Sequence, residues 1–243
     1  MTFRPLRKPA NNKLTAMMQV RNEENRYFEE VLDHLTGFAD EIVIVDDASS
    51  DRTVDICRRY PKVVKLVELT ESKFREEWKL RQLLWEAAAA TDPDWLLAID
   101  ADEIYEDKTK HRIHELINQD RYDWVGFRFY DFWGGTTYYR EDEYWNIHKR
   151  HTMTLVRYLP EYHYFYPKRE HHVSRLPLSC GALPGHGSEL RVKHYGWAGG
   201  EEERHRKYVR YMEMDPEGKW GSLEHYRSIL DPDPHLVEWK EEP

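Results

Sequence analysis

The sequence predicts an α/β fold built on one doubly wound, mostly parallel sheet that is followed by an aromatic-rich extension. Short apolar runs alternate with amphipathic segments four times before residue 101, and these runs are β-branched and nearly uninterrupted. Such runs are typical of strands buried on both faces. Trp and Tyr are concentrated after residue 124. We therefore expect a single domain over residues 1–243, with a sheet half at about 14–105 and an aromatic half at about 120–243.

The first half contains four predicted strands joined by helices, in a Rossmann-like order. The strands are LTAMMQV, EIVIVDD, VVKLVEL and WLLAID, which begin at Leu14, Glu41, Val63 and Trp95. YFEEVLDHL, DRTVDICRRY and WKLRQLLWEAAAA have helical apolar spacing, and Ser50 or Asp51 is placed to begin the second helix as its cap. Because the connections are right-handed crossovers, we expect parallel strands with helices on both faces.

The second half combines aromatic strands with polar loops. A helix, HRIHELINQ, precedes the strands WVGFRFYDFW, MTLVRYL, YHYFY and RVKHYGW. The charged segment EEERHRKYVRYMEMD predicts a last helix that is closed by Pro216 and Gly218. The loop WGGTTYYREDEYW, with Gly134 and Gly135, is either a simple hairpin or a flap that closes over a substrate.

Composition excludes several classes of protein. The net charge of -9 argues against nucleic-acid binding, which depends on a surplus of Lys and Arg. No apolar run approaches the roughly 18 residues of a membrane helix, which leaves only peripheral membrane contact open. The N-terminus lacks the apolar stretch of a secretion signal, and Cys57 and Cys180 are too few for a disulfide framework. We therefore expect a cytoplasmic protein.

Three polar clusters directly follow predicted strands. RNEEN (Arg21–Asn25) follows the first strand, DDASSD (Asp46–Asp51) the second and DADE (Asp100–Glu103) the fourth. Each cluster alone could be a strand end that meets water. Because open parallel sheets bind ligands beyond the carboxyl ends of their strands, the three together predict a binding site at one rim.

The DADE cluster collects three carboxylates, on Asp100, Asp102 and Glu103. Neighbouring carboxylates raise each other's pKa unless a cation lies between them. Mg²⁺ and Mn²⁺ accept carboxylate and phosphate oxygens, so a divalent cation with a phosphorylated ligand would resolve the repulsion. In DDASSD, Asp46 or Asp47 is available to accept hydrogen bonds from a ribose or from the imide N–H of a pyrimidine.

The segments MMQVRNEENRYFEEVLDHLTGFADEIVIVDDASSDRT and WLLAIDADE resemble the donor half of family-2 glycosyltransferases with the GT-A fold. The resemblance covers about Leu14 to Glu103. It implies a metal-dependent, inverting glycosyltransferase of the hexosyltransferase type. Such an enzyme moves a sugar from a nucleotide-diphosphate donor, most commonly UDP, to a hydroxyl of a carbohydrate or glycolipid acceptor in polysaccharide or glycan assembly. Residues 14–105 would then bind the donor and residues 120–243 the acceptor.

The resemblance also implies roles for single residues. Asp102 would be a direct ligand of Mn²⁺ or Mg²⁺, and His194 in VKHYGW a second ligand. Independently of the resemblance, Arg204 and Lys207 on the predicted last helix either fold over the diphosphate as a lid or belong to a solvated helical face. The residues implied to bind the nucleotide-sugar are Val20, Arg21, Asn22, Glu24, Asp46, Asp47, Arg81, Asp100 and Ala101.

In-line attack by a hydroxyl benefits from a carboxylate that removes its proton. Glu170 in KREHHV is the first candidate for this base. Relatives carry a His-Glu segment there, whereas here the Glu precedes two His. Asp142, beside Glu143 in REDEYW, is the second candidate because it resembles the Glu-Asp base of other members, although it lies nearer to DADE than is usual.

Two other classes stay open at this point. A haloacid-dehalogenase-like phosphatase would use Asp100 as nucleophile, but it usually has Thr or Val where Ile104 stands here. A protein of the same fold could also bind sugars or nucleotides without activity, because fold alone does not establish function. A nucleotidyltransferase would need a glycine-rich loop after its first strand, and RNEEN has no glycine.

Overall fold

The computed structural model describes residues 7–169, 173–219 and 221–242. Its first half has the predicted alternation of strands and helices: β1 (Leu14–Val20), α1 (Phe28–Thr36), β2 (Glu41–Asp46), α2 (Thr53–Arg58), β3 (Val63–Glu68), α3 (Glu77–Ala89) and β4 (Trp95–Ala98). Helix α2 begins later than predicted. Arg52 directly precedes the helix, and the Asp51 carboxylate accepts from the backbone amide of Thr53, the first helical residue, at 3.0 Å.

Strand β1 lies between β2 and β4 and is parallel to both, and β3 is parallel to β2. The carboxyl ends of these strands therefore meet at one edge. Alternate residues of β1 point to opposite faces: Leu14 and Met18 pack with α1 and α2, and Met17 packs with α3. Helices thus cover both faces of the parallel strands, as the periodicity predicts.

The second half extends the same sheet. Its elements are β5 (Glu103–Tyr105), α4 (Thr109–Ile117), β6 (Trp124–Trp133), β7 (Tyr138–Arg140), β8 (Thr152–Arg157), β9 (Gly185–Trp197), α5 (Glu201–Met214), α6 (Leu223–Ser228) and β10 (Leu236–Glu238). Strand β8 pairs antiparallel with β4 and with β6. Strand β9 pairs parallel with β6 and antiparallel with β5, which directly follows β4. The predicted α/β class is confirmed.

The predicted strand YHYFY (162–166) is wrong, because this segment is a loop over α3. The ring centroids of Tyr164 and Trp85, on α3, lie 4.5 Å apart. The hydroxyl of Tyr166 donates to the backbone carbonyl of Arg175 at 3.1 Å. The alternating aromatic side chains therefore bury themselves against a helix and against their own loop, and the segment pairs with no strand of the described chain.

The loop at Gly134 is a hairpin between β6 and β7, which pair antiparallel. Gly134 has a φ of 63°, a left-handed conformation that glycine adopts without strain. Helix α5 follows β9 and buries none of its described side chains. In the parts of the chain that the structure describes, no helix is long and apolar enough to cross a bilayer.

Candidate active site

A cleft of about 360 Å³ opens at the carboxyl edge of the parallel strands. It brings together predicted residues from all three rim clusters and from β9: Val20, Arg21, Asp47, Asp100, Ala101, Asp102 and His194. They converge because β1, β2 and β4 are parallel neighbours that end together. The cleft also contains residues that the sequence analysis did not select: Gln19, Glu23, Arg26, Phe74, Leu80 and Arg210.

Asp47 is a fixed hydrogen-bond acceptor in the cleft. Its two oxygens accept from the Ser72 hydroxyl and from the backbone amide of Lys73, each at 2.6 Å. Arg21 lies 3.8 Å from the same carboxylate and donates to the Ser72 hydroxyl at 2.5 Å. The neighbouring Asp46 is 2% exposed, and its Oδ1 has no hydrogen-bond partner among the described residues.

Asn22 and Glu24 do not line the cleft but connect two of its loops. Oδ1 of Asn22 accepts from the backbone amide of Ser50 at 2.8 Å, and Asn22 has a φ of 54°. The Glu24 carboxylate accepts from Nε of Arg52 at 2.7 Å. These contacts fasten the loop after β1 to the loop after β2, so the two residues position the rim and lie outside the cleft itself.

Arginines hold two of the three DADE carboxylates. Nη1 of Arg175 donates to Oε2 of Glu103 at 2.7 Å, and Nη2 lies 2.9 Å from Oδ2 of Asp100. Nη1 of Arg81 lies 3.6 Å from the other oxygen of Asp100. Burial would raise the pKa of Asp100, but the charges of Arg175 and Arg81 outweigh burial and keep that pKa below its usual value.

Asp102 and His194 face each other beside this group. Oδ1 of Asp102 lies 3.8 Å from Nε2 of His194, and Nδ1 of His194 lies 2.6 Å from Oδ1 of Asp131. Burial acts to lower the pKa of His194, yet the carboxylates of Asp102 and Asp131 raise it to about 9. A carboxylate on one ring nitrogen fixes the orientation of an imidazole whose other nitrogen binds a metal. Asp131 was not among the residues predicted from the sequence.

Gly196 keeps a space open between Asp102 and His194. A Cβ at this position would lie 2.5 Å from Nε2 of His194 and 3.3 Å from Oδ2 of Asp102. No three His, Cys, Asp or Glu side chains of residues 7–169, 173–219 and 221–242 form a complete metal site. One carboxylate, one imidazole and a space between them fit a Mn²⁺ or Mg²⁺ ion that takes its other ligands from phosphate and water.

Glu23 is a further acid at the cleft. Its Oε2 is buried and has no hydrogen-bond partner among the described residues, although Nη1 of Arg26 lies 3.6 Å away. Burial raises the pKa of Glu23 to about 7. Arg26 also lies 3.3 Å from Glu203 and so connects the loop after β1 to helix α5. The only signal for Glu23 in the sequence is that it is the first acid of RNEEN, and without the fold such an acid looks the same as a surface charge.

Helix α5 presents a different set of cations from the predicted pair. Arg204 donates to the Gly199 carbonyl at 2.6 Å and lies over the Trp133 ring, in a separate pocket. Lys207 donates to the Gly196 carbonyl, beside Asp102. Arg210, one turn further along, lines the cleft. Residues three apart share a helix face, which explains why Lys207 and Arg210 belong together.

The structure does not bring Asp142 to the cleft. Its carboxylate accepts from Nε of Arg140 at 2.5 Å and from the backbone amide of Tyr144 at 2.9 Å, so it shapes the turn after β7. It lines a separate pocket. Glu170, the first candidate for the base, lies outside the described residues.

Comparisons with solved structures identify the fold. S. aureus TarS 1-349 in complex with UDP-GlcNAc has a TM-score of 0.55 and 16% identity, over 90% of this chain and 70% of that chain. The mannosyltransferase PcManGT from Pyrobaculum calidifontis, in complex with GDP-Man and Mn²⁺, has a TM-score of 0.53 and 15% identity, over 92% of this chain and 70% of that chain. The match to the longer TarS chain covers 42% of it. These likenesses confirm the predicted GT-A fold.

Comparison of sequences identifies the family. An uncharacterized protein of Mycobacterium tuberculosis is 30% identical over 99 residues, which are 39% of this chain and 24% of that protein. The chain thus spans about a quarter of the length of the curated relatives it matches. The family model described as Glycosyl transferase family 2 matches residues 15–169, which is more than half of the chain. The chain belongs to glycosyl transferase family 2, and its class is that of the glycosyltransferase enzymes.

Proposed function

We propose that the protein transfers a sugar from a nucleotide-diphosphate donor, of the UDP type, to a hydroxyl of a carbohydrate or glycolipid acceptor, with inversion at the anomeric carbon. The observation that carries this proposal is one cleft in which Asp47, the pair of Asp102 and His194, and Arg210 lie together. These groups match the nucleoside, the diphosphate and its counter-ion. The ligands named for the two structural neighbours, UDP-GlcNAc and GDP-Man, are both nucleotide-sugars.

The nucleoside would lie against Asp47. Ser72 and Lys73 hold its carboxylate in one orientation, so it can accept from a ribose hydroxyl or a base N–H without reorganisation. The side chain of Phe74, which is 42% exposed, lines the same part of the cleft. It offers an apolar face to a base.

Asp102 and His194 would hold Mn²⁺ or Mg²⁺. When bound, the ion supplies Lewis-acid stabilisation of the charge that develops on the departing diphosphate. Arg210 and Lys207 add positive charge from α5, where they lie beside the same part of the cleft. A dry, preorganised arrangement of cations stabilises a leaving anion more than water does.

Glu170 stays the proposed base for the acceptor hydroxyl. The chain that follows it is placed beside the donor site: the backbone amide of Val173 donates to Glu77 on α3 at 3.3 Å, and Arg175 contacts Asp100. Residues three to five positions away are thus held at the rim. The aromatic second half then offers flat surfaces to sugar rings of the acceptor.

The phosphatase alternative would need Asp100 as a nucleophile. Here Nη2 of Arg175 lies 2.9 Å from one oxygen of Asp100 and Nη1 of Arg81 lies 3.6 Å from the other, so a guanidinium stands beside each oxygen that would have to act as the nucleophile. The chain also belongs to a different family. We therefore do not retain this alternative.

Thermal unfolding with UDP, with and without Mn²⁺, tests the proposal. We expect UDP to raise Tm only with Mn²⁺, by an amount that corresponds to about 2.7 kcal/mol at a hundredfold excess over Kd. Asp102→Ala should abolish the synergy. Asp120→Ala, at an exposed position outside the cleft, is the matched control and should keep it. UDP binding that is indifferent to Mn²⁺ in the unaltered protein would refute metal dependence.

Release of UDP from UDP-sugars in the presence of oligosaccharide or glycolipid acceptors tests transfer itself. We expect UDP release to depend on both the acceptor and Glu170. Synergy of UDP and Mn²⁺ without release from any donor would instead identify an inactive nucleotide-binding member of the family.

A further inference from the structure

Arg175, which is distant in the chain from the DADE turn, pairs with the carboxylates of that turn. It lies between β8 and β9, outside the three rim clusters. One guanidinium pairs with both oxygens of Glu103 and with Oδ2 of Asp100. Glu103 is 1% exposed, and its Oε2 also accepts from the backbone amide of Asp100 at 3.0 Å. Two of the three carboxylates are therefore already paired with a cation that belongs to the protein.

The guanidinium is held in place on several sides. It lies 5.3 Å from the ring centroid of Phe129, and the Arg175 carbonyl accepts from the Tyr166 hydroxyl at 3.1 Å. Val173, two residues earlier, is fastened to Glu77 on α3. Arg175 is thus a fixed part of the site. The fork of an arginine suits this place because it binds carboxylates bidentately and does not lose its charge.

We propose that Arg175 is a built-in counter-cation that occupies Asp100 and Glu103, so that the divalent ion binds firmly only together with the nucleotide diphosphate. The inference deepens the proposed function and rests on it. Without Arg175, the turn would offer three carboxylates and an imidazole, enough to hold Mn²⁺ alone. With Arg175, only Asp102 and His194 remain, and the ion must take further oxygens from the phosphates.

Electrostatics acts in the same direction. The positive charge of Arg175 lies within reach of Asp102 as well as of the two acids that it contacts, and it opposes a second cation at this turn. The consequence is coupled binding: ion and donor enter together, and the ion is held less firmly once the diphosphate leaves. Arg175 is in this sense a positioning residue.

Calorimetric titration of the full chain with Mn²⁺ alone tests the inference. We expect weak binding to the unaltered protein. Arg175→Gln frees Asp100 and Glu103 and removes the opposing charge, so Mn²⁺ alone should bind at least about tenfold more tightly. Arg175→Lys keeps the charge but cannot pair with both carboxylates through a planar fork, so its affinity for Mn²⁺ alone should lie between those of the unaltered protein and Arg175→Gln.

Arg191→Gln is the matched control. Arg191 is also buried and donates to Oε2 of Glu106 through Nε at 2.9 Å, on β9 away from the cleft. Its loss frees a carboxylate of similar burial, yet should leave Mn²⁺ binding unchanged. An equal gain in Arg191→Gln would overturn the inference, because any released acid would then suffice.

A double variant protects the test against misfolding. Glu103→Gln with Arg175→Gln removes both charges of a buried pair, which costs less than leaving one of them alone. It still frees Asp100, so Mn²⁺ alone should bind more tightly than to the unaltered protein. If the folded variants bind Mn²⁺ alone no more tightly than the unaltered protein does, the inference is wrong. Failure of the proposed function would be seen in a separate measurement: UDP would bind to the unaltered protein equally well with and without Mn²⁺.

Discussion

Nδ1 of His194 lies 2.6 Å from Oδ1 of Asp131, and the two residues are direct partners in the parallel pairing of β9 with β6. On its other side His194 pairs with Glu103 of β5. The imidazole is therefore held between the DADE turn and an aromatic strand, with Nε2 directed to Asp102. Strand register positions the candidate metal ligand.

Loss of the Asp131 carboxylate should weaken metal binding. Asp131→Asn keeps the shape of the side chain but no longer holds His194 as a negatively charged acceptor. Partners of this kind are worth about 10- to 100-fold in metal affinity. We therefore expect the Mn²⁺ concentration needed for half-maximal stabilisation by UDP to rise by the same factor. An unchanged requirement would contradict the assigned role, and Asp120→Asn is the control.

Filling the space at residue 196 should remove the metal site and leave the fold intact. In Gly196→Ala the new Cβ would lie 2.5 Å from Nε2 of His194, so the ring must move. We expect a loss of about tenfold or more in Mn²⁺-dependent UDP binding, measured by calorimetry. Gly181→Ala is the matched control, because a Cβ there meets nothing within 4 Å. Full retention of Mn²⁺ dependence would show that the ion lies elsewhere.

The ionised carboxylate of Glu23 should lower the free energy of unfolding at neutral and alkaline pH. Burial raises its folded-state pKa from 4.5 to about 7, so ionisation destabilises the folded state progressively as pH rises from 4.5 to 7. Glu23→Gln cannot ionise. At pH 8 its free energy of unfolding should exceed that of the unaltered protein by about 3 kcal/mol, with little difference at pH 4.5.

Urea unfolding at the two pH values measures this effect. Glu24→Gln is the control, because Glu24 is paired with Arg52 and its replacement should not stabilise the protein at pH 8. Equal stability of Glu23→Gln and the unaltered protein at pH 8 would show that Glu23 is fully solvated or neutralised.

His34 should make the fold sensitive to mild acid. Burial, with help from Lys110 and Lys193, lowers its pKa from 6.5 to about 4. The neutral ring is favoured in the folded state, so stability is complete above pH 6.5 and is lost as pH falls from 6.5 through 4. From pH 7 to pH 5 this amounts to about 2 kcal/mol. His34→Leu should flatten that part of the stability profile, and exposed His111→Leu should not.

The predicted sheet and rim follow from local signals. Apolar runs such as that of β2 and helical spacing such as that of α1 predict their elements correctly, because both faces of these strands are buried. Once four parallel strands are expected, the shared edge of their carboxyl ends follows from geometry. This is why Asp47, Asp100 and Asp102 could be assigned to one cleft without a structure.

Residues whose proximity depends on the path of the later chain could not be found in this way. Asp131 reaches His194 through the register of β6 with β9, and Arg175 reaches Asp100 through a loop. One signal was present: three clustered carboxylates require positive charge, and an arginine can supply it as well as a metal ion. Asp142 illustrates the opposite kind of error, in which a residue is selected that does not reach the site. Its sequence context resembles that of a catalytic acid, but its carboxylate pairs with buried Arg140.

The lateness of β9 in the chain has a consequence for synthesis. His194 and Asp131 are 63 positions apart, and both come later in the chain than the DADE turn. A nascent polypeptide would emerge with DADE already made, but with neither Arg175 nor His194 to offset it. Because distant contacts close slowly, this corner should be among the last to mature on the ribosome. Chaperones or early counter-ions would have their greatest effect there.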